Sequence, residues 1–239
     1  MRQILDLDRF PLDRLDGVRG RTLLARCHRE LHESGMFSLA GLIRPEALER
    51  CVADVEPLFG TSAFTHSREH NIYFDDEIEG LEAGHPALGR LRTVNHTVCG
   101  DLIPTSLVTR VYEWQPLIDF LAAAMDKPRL YPMADPLARI NVMAYRSGDA
   151  LDWHFDRAEF TTTCLLQAPL AGGDDEVRTL PLAPGTLNVF KGRNTAHRVT
   201  PTEGHRARII AVFSYYETPD VSFSDAERLG FYGRMGAIE

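Results

Sequence analysis

Cysteine is scarce: Cys27, Cys51, Cys99 and Cys164 stand far apart in 239 residues, and no Cys-x-x-Cys pair occurs. That spacing suits neither a zinc knuckle nor a disulfide framework, so buried free thiols in a reducing cytoplasm are expected. Long apolar runs are missing as well. No stretch approaches the roughly 20 residues a membrane span requires. The N-terminus, Met1-Arg2-Gln3-Ile4-Leu5-Asp6, carries charge where a signal peptide would have a continuous apolar core. Nor is there a positive excess: 26 Lys and Arg against 34 Asp and Glu give a net charge of −8. A nucleic-acid or anionic-membrane partner, which calls for a basic face, is therefore not expected. Internal repeats, low-complexity tracts and linkers are absent too, and one domain over 1–239 is the expectation.

What remains is ordinary globular composition, 44% apolar and 25% charged, with two kinds of periodicity. Residues 1–138 read as mainly helical support and covering elements. A helix is expected over 18–34, with Leu23, Leu24, Cys27, Leu31 and His32 at helical spacing and Gly35 as terminator. Residues 36–43 read as a short strand. Pro45 then occupies a first helical position, with Leu48, Val52 and Val55 on one face. A third helix covers Pro116 to Met125, with Leu117, Phe120, Leu121 and Ala124 inward. From Arg139 the pattern changes to short apolar or alternating segments between glycine and proline turns: 139–146, 151–156, 161–167, 176–180, 186–190 and 207–216. The expected fold is α+β, a double-stranded β-helix (a cupin-like jelly roll) over 139–217 with helices packed on one face. Residues 218–239 would form a C-terminal covering segment.

The chemistry concentrates in the β-rich part. In Leu151 to Asp156, strict alternation would put Asp152, His154 and Asp156 on one face and Leu151, Trp153 and Phe155 on the other. His197 follows after enough chain to return across a barrel. Two imidazoles and one carboxylate on one side of a metal form the facial triad of non-heme Fe(II) oxygenases, which leaves adjacent coordination positions open. Asp152 shares the parity but is expected to accept a hydrogen bond from a ligand histidine rather than to ligate. The other histidines, His28, His32, His66, His70, His85, His96 and His205, read as ordinary surface or core residues, His96 least securely because the polar run Asn95-His96-Thr97 could line a cavity.

Arg206 and Arg208 open the strand that runs to Tyr215. A dicarboxylate co-substrate chelating the metal would present its far carboxylate to a buried cation, and an arginine here is suited to a two-pronged contact.

Taken together, Gly148-Asp149-Ala150-Leu151-Asp152-Trp153-His154-Phe155-Asp156, Gly172-Gly173-Asp174, Pro184-Gly185-Thr186-Leu187, His197-Arg198-Val199-Thr200-Pro201 and Arg208-Ile209-Ile210 closely resemble the Fe(II)/2-oxoglutarate dioxygenase superfamily, over about residues 139–217. Within it, Thr161 to Pro169 and the ending Ser214-Tyr215-Tyr216-Glu217 are similar to the bacterial branch of free-amino-acid radical halogenases and hydroxylases. The resemblance implies His154, Asp156 and His197 as iron ligands and Arg208, or alternatively Arg206, as the co-substrate arginine. It matches Tyr145, and more weakly Asn141, to residues near 2-oxoglutarate; Arg92 could add a carboxylate contact. Halogenating members replace the ligand acid by a small residue, whereas this chain keeps Asp156. The resemblance therefore implies hydroxylation using Fe(II), 2-oxoglutarate and O₂, with desaturation or cyclisation as variants. It implies a small polar substrate, favoured to be a free amino acid, for which Arg157 is a candidate anion contact. A peptide substrate, and a cupin-like metal-binding protein without oxygenase activity, stay open. Ser67 to Asp76, with His70, Asn71 and Tyr73, and Phe223 to Arg234 are candidate covering elements, with Gly230, Gly233 and Gly236 permitting movement.

Overall fold

Strands buried along most of their length, chiefly from the second half of the chain, build one large antiparallel sheet, and helices of the first half cover one face of it. The computed structural model describes residues 1–72, 80–82, 84–85, 88–156, 158–172 and 183–236. In chain order the elements are α1 (Val18–Ser34), β1 (Met36–Leu39), α2 (Pro45–Val55), β2 (Phe64–His70), β3 (Leu91–Cys99), α3 (Leu107–Tyr112), α4 (Gln115–Ala124), β4 (Tyr131–Pro132), β5 (Ile140–Tyr145), β6 (Leu151–His154), β7 (Thr161–Gln167), β8 (Ala171–Gly172), β9 (Leu187–Phe190), β10 (His197–Val199), β11 (Thr202–Glu203), β12 (Arg208–Phe213), β13 (Tyr215–Tyr216) and α5 (Asp225–Tyr232). Among the described residues, no helix is long and apolar enough to cross a membrane.

Seven strands form the major sheet in the order β1-β9-β7-β12-β5-β3-β2, and three short pairs, β10-β6, β11-β8 and β13-β4, lie apart from it. This is the double-stranded β-helix expected from the turn-separated strands, with helices added. Alternation sorts each major strand. In β12, Ile209, Ala211 and Phe213 join the main core cluster with α1 and α4, while Ile210 joins a smaller one with Tyr145, Leu165 and Val199. In β5, Ile140, Val142 and Ala144 belong to the helix side, and Tyr145 and Met143 to the smaller cluster. The helices answer with Leu23, Cys27 and Leu31 from α1, and Leu117, Phe120 and Leu121 from α4. Burial of side chains this size stabilises the fold by roughly 1.5–3 kcal/mol each. Gly35 ends α1 in the left-handed conformation (φ 79°), its N–H donating to the Leu31 carbonyl, so the chain turns directly into β1.

Several expectations are corrected. The first half holds more than helices: β2 and β3, not expected from the sequence, pair along seven residues, from Phe64 opposite Thr97 to His70 opposite Leu91, and extend the major sheet beyond β5. Their polar, weakly alternating sequence hid them. His32 lies exposed on α1, whose buried face stops at Leu31. The buried stripe of α2 runs through Ala47, Cys51 and Val55, with Leu48 and Val52 only partly covered at its edge. The strand expected over 36–43 stops at Leu39, where a turn begins. The expected strand 176–180 falls outside the described residues, as do Gly173, Asp174, Tyr73 and Arg157. All four cysteines are buried and free.

Candidate metal centre

His154 ends β6 and His197 begins β10, and the antiparallel register sets them opposite each other. Residues so paired have side chains within reach across the strands, and here the imidazole centroids are 4.1 Å apart. The register shifts between His197 and Val199, the kind of irregularity that re-aims a side chain beside a functional site. Each ring is oriented from behind. His154 Nδ1 pairs with the Asp152 carbonyl at 2.8 Å, and His197 Nδ1 with the Thr195 carbonyl at 2.9 Å. A carbonyl only accepts, so the proton sits on Nδ1 and Nε2 presents its lone pair forward.

The third group comes from a loop. β6 stops at His154; Phe155 N–H then donates to the Ile72 carbonyl (3.0 Å) and Asp156 N–H to the Gly192 carbonyl (3.1 Å). These contacts turn Asp156 toward both rings, with Oδ1 3.4 Å from His154 Nε2 and Oδ2 3.4 Å from His197 Nε2. The Thr161 hydroxyl donates to Oδ2. Burial alone would raise the Asp156 pKa, but the two imidazoles, when they are protonated on Nε2 as well, outweigh it and hold the carboxyl well below the ordinary range. Gly192 makes this approach possible: a Cβ there would overlap Thr161 Oγ1 and the Asp156 carboxylate.

The donor chemistry fits a divalent transition metal. The three candidate atoms lie within 4.8 Å of one another. Donors bonded at about 2.1 Å and at right angles would stand about 3 Å apart, close to the separations seen.

Two chambers meet at this triad, and Met143, Leu151, His154 and Asp156 border both. The inner one, about 130 Å³, is closed by Arg208, Tyr145, Thr163, Phe190 and Val212. Arg208 is only 1% exposed. It stands opposite Tyr145 in the β12–β5 register, its guanidinium carbon 5.4 Å from that ring's centroid. A buried guanidinium in the lining makes this chamber suited to a carboxylate. The outer chamber, about 230 Å³, is walled by β2, β3 and α5.

Placement of the remaining candidates follows from these chambers. Arg206 precedes β12, is exposed, and donates to the Pro169 carbonyl (3.2 Å) away from the triad, because the strand alternation does not extend back to it. Asn141 faces inward on β5 but borders the outer chamber. Strict alternation over 151–156 does not hold, since the strand ends at His154; Leu151 and Phe155 line the outer chamber with His154 and Asp156. The Asp152 carboxylate accepts from Trp153 N–H, and its backbone carbonyl, not its side chain, orients His154. Arg92 is exposed, outside both chambers. His96 turns away from the cavity, bonding Thr65 Oγ1 at 2.9 Å and standing 3.3 Å from Asp149, whereas its neighbours Asn95 and Thr97 face in.

Sequence reasoning passed over His66, Arg68 and Thr93. The period-two pattern of the polar run Thr93-Val94-Asn95-His96-Thr97 was the available signal. Of the covering candidates, Phe223, Phe231 and Tyr232 border the outer chamber, and His70 is buried, its Nε2 2.6 Å from Thr93 Oγ1. The C-terminal segment is strapped down. Arg228 Nε donates to the fully buried Asp135 at 2.8 Å, and Arg234 makes a two-pronged contact with Asp101 at 2.7 and 2.8 Å.

No protein-family model matches this chain, and no curated protein matches its sequence. Its fold does match solved structures. An oxidoreductase of the 2OG-Fe(II) oxygenase family from Burkholderia pseudomallei aligns at 14% identity and a TM-score of 0.54, over 83% of this chain and 92% of that one. The epimerase SnoN, in complex with Fe3+, alpha-ketoglutarate and nogalamycin RO, aligns at 12% identity and a TM-score of 0.56 (82% and 84% covered). A Pseudomonas putida prolyl-4-hydroxylase aligns at 13% identity and a TM-score of 0.52 (80% and 97%). At such identities the likeness establishes a shared fold.

Proposed function

We propose that this chain is an Fe(II)- and 2-oxoglutarate-dependent oxygenase that hydroxylates a C–H bond of a small substrate. One observation carries the reading: a two-histidine, one-carboxylate cluster shares a chamber with a buried arginine. The fold neighbours, among them oxygenases and a complex with Fe3+ and alpha-ketoglutarate, are consistent with it.

In this reading His154, Asp156 and His197 hold the iron on one side, which keeps the other side open to ligands. Bound iron would let O₂ act as the oxidant, one oxygen atom going into succinate as 2-oxoglutarate loses CO₂ and the other into the C–H bond of the substrate. The residues do the rest. Arg208 neutralises the far carboxylate of the co-substrate in the inner chamber, with Thr163 and Tyr145 beside it. Thr161 and Gly192 fix Asp156 so that its oxygens stay turned to the imidazoles. The outer chamber receives the primary substrate on the opposite side of the triad and keeps it apart from bulk water through Phe223, Phe231 and Phe155. Because Asp156 fills the ligand position, hydroxylation is favoured over halogen transfer.

The test is succinate formation from 2-oxoglutarate with purified protein, with and without Fe(II). Metal-dependent succinate that vanishes in Asp156→Ala and Arg208→Ala supports the reading. Absence of turnover together with absence of 2-oxoglutarate binding would leave a metal-binding module of the same fold.

A further inference from the structure

The β2–β3 pair borders the outer chamber, and its antiparallel register sets His66 directly opposite Asn95. Cβ atoms of residues so opposed stand about 5 Å apart, so one small ligand group can touch both. The His66 imidazole lies edge-on to the Phe64 ring, with centroids 4.8 Å apart, and this contact fixes its plane. Burial, and after it the Arg68 charge, keeps the imidazole neutral. One ring nitrogen then carries a proton and the other a lone pair, and among the described residues neither has a hydrogen-bond partner. The other histidines of the two strands are engaged: His70 Nε2 is 2.6 Å from Thr93 Oγ1, and His96 Nδ1 is 2.9 Å from Thr65 Oγ1. Asn95 is only 5% exposed. Its Oδ1 accepts from the Thr97 hydroxyl at 3.0 Å, which leaves the Nδ2 protons without a partner among the described residues.

The two residues hold complementary halves of one contact, amide protons on Asn95 and a lone pair on His66. A hydroxyl or a carboxamide accepts from the first and donates to the second. A hydrocarbon group in the same place strips water from both and replaces neither hydrogen bond, which is unfavourable for polar groups in a chamber. We propose that the primary substrate carries a hydroxyl or carboxamide group seated between His66 and Asn95, accepting from Asn95 Nδ2 and donating to the His66 ring, with the carbon to be oxidised facing the triad. His66 and Asn95 thereby select the substrate by hydrogen bonding. The inference rests on the oxygenase reading given above and adds to it the polar group by which the substrate is recognised.

The experiment uses protein loaded with Zn(II) and 2-oxoglutarate for calorimetric binding, and Fe(II) with 2-oxoglutarate for succinate release. The probes are pairs of similar shape that differ in the polar group: threonine against valine, benzamide against acetophenone, and benzyl alcohol against toluene. In at least one pair the hydroxyl or carboxamide member should bind about 10-fold more tightly, as a hydrogen bond gained in a partly buried site implies, and should stimulate succinate release more. That difference should shrink to about twofold or less in His66→Phe, which keeps a ring, and in Asn95→Leu; His66→Gln should restore part of it. A merely structural role would weaken both members alike and leave the difference standing, and either variant suffices if the other fails to fold. Equal binding within every pair, preference for the members lacking the group, no binding by any member, or a difference that survives in the folded variants overturns the assignment while 2-oxoglutarate binding stays intact. Failure of 2-oxoglutarate itself to bind the metal-loaded protein overturns the oxygenase reading, and this inference with it.

Discussion

Asp135, fully buried, and Arg228, partly exposed, form an ion pair at 2.8 Å that joins the loop after β4 to α5, the helix bordering the outer chamber. Asp135 is 0% exposed and accepts four further hydrogen bonds, from Leu137 N–H, Ala138 N–H, Phe223 N–H and Ser222 Oγ. The hydrogen bonds and the charge of Arg228 hold its carboxyl below the usual range against the opposing effect of burial. Glycines in this segment therefore do not by themselves make a hinge; the ion pairs decide how α5 sits.

Asp135→Ala should strand the Arg228 charge and release α5. Hydrogen exchange should accelerate first in 225–232, ahead of global opening. Uniform acceleration across β5 and β12 would mean that Asp135 supports the whole fold rather than the α5 strap.

The proposed co-substrate role of Arg208 and the exposed position of Arg206 predict different outcomes for the two variants. Arg208→Ala should weaken 2-oxoglutarate binding to Zn(II)-loaded protein by a factor on the order of 30 or more, as expected for a buried charge-assisted contact. Arg208→Lys should recover part of it, which controls for misfolding. Arg206→Ala should change binding less than about twofold, because that side chain lies outside the chamber. The reverse ranking, read by calorimetry, would exchange their roles.

Gly192→Ala tests how Asp156 is placed. The added methyl would overlap the Asp156 carboxylate and Thr161 Oγ1, so metal affinity should fall by about 10–100-fold, the range seen when groups supporting a ligand are disturbed. The melting temperature of the metal-free protein should drop by only a few degrees. Unchanged metal affinity would show that Asp156 tolerates a displaced Gly192.

Stability should decline on mild acidification. His66 is pushed down to about 4 from an ordinary value of 6.5 by burial and by Arg68. Between those values the unfolded chain holds the extra proton and the folded chain does not, so stability falls as pH falls from 6.5 toward 4. His70 and His96 shift in the same direction, mainly through burial. Replacing His66 by Gln should reduce the slope by about 1 kcal/mol per pH unit at its steepest. Denaturant melts across that window will read it, and an unaltered slope would place the titration elsewhere.

Much of the core architecture was legible because it rests on local rules. Gly35, Pro45 and the α4 stripe marked helix limits and faces, and the alternation of β5, β7 and β12 marked a sheet with two different sides. The histidines and Asp156 stood out by residue type and chain order. What stayed hidden depends on tertiary placement. Arg206 and Arg208 share a parity on paper, but β12 begins only at Arg208. Asp156 lies beyond the end of β6 and is aimed by Gly192 and Ile72, contacts no local pattern encodes. β2 and β3 carry the polar lining Thr93, Asn95 and Thr97, which lacks the apolar alternation that announces a strand.

The most direct test of the metal assignment is an anomalous-diffraction map of crystals grown with Fe(II) and 2-oxoglutarate without oxygen. The account requires one strong peak about 2.1 Å from His154 Nε2, His197 Nε2 and an Asp156 oxygen, with the far carboxylate of 2-oxoglutarate on Arg208. A peak elsewhere, or one with His197 turned away, would contradict it.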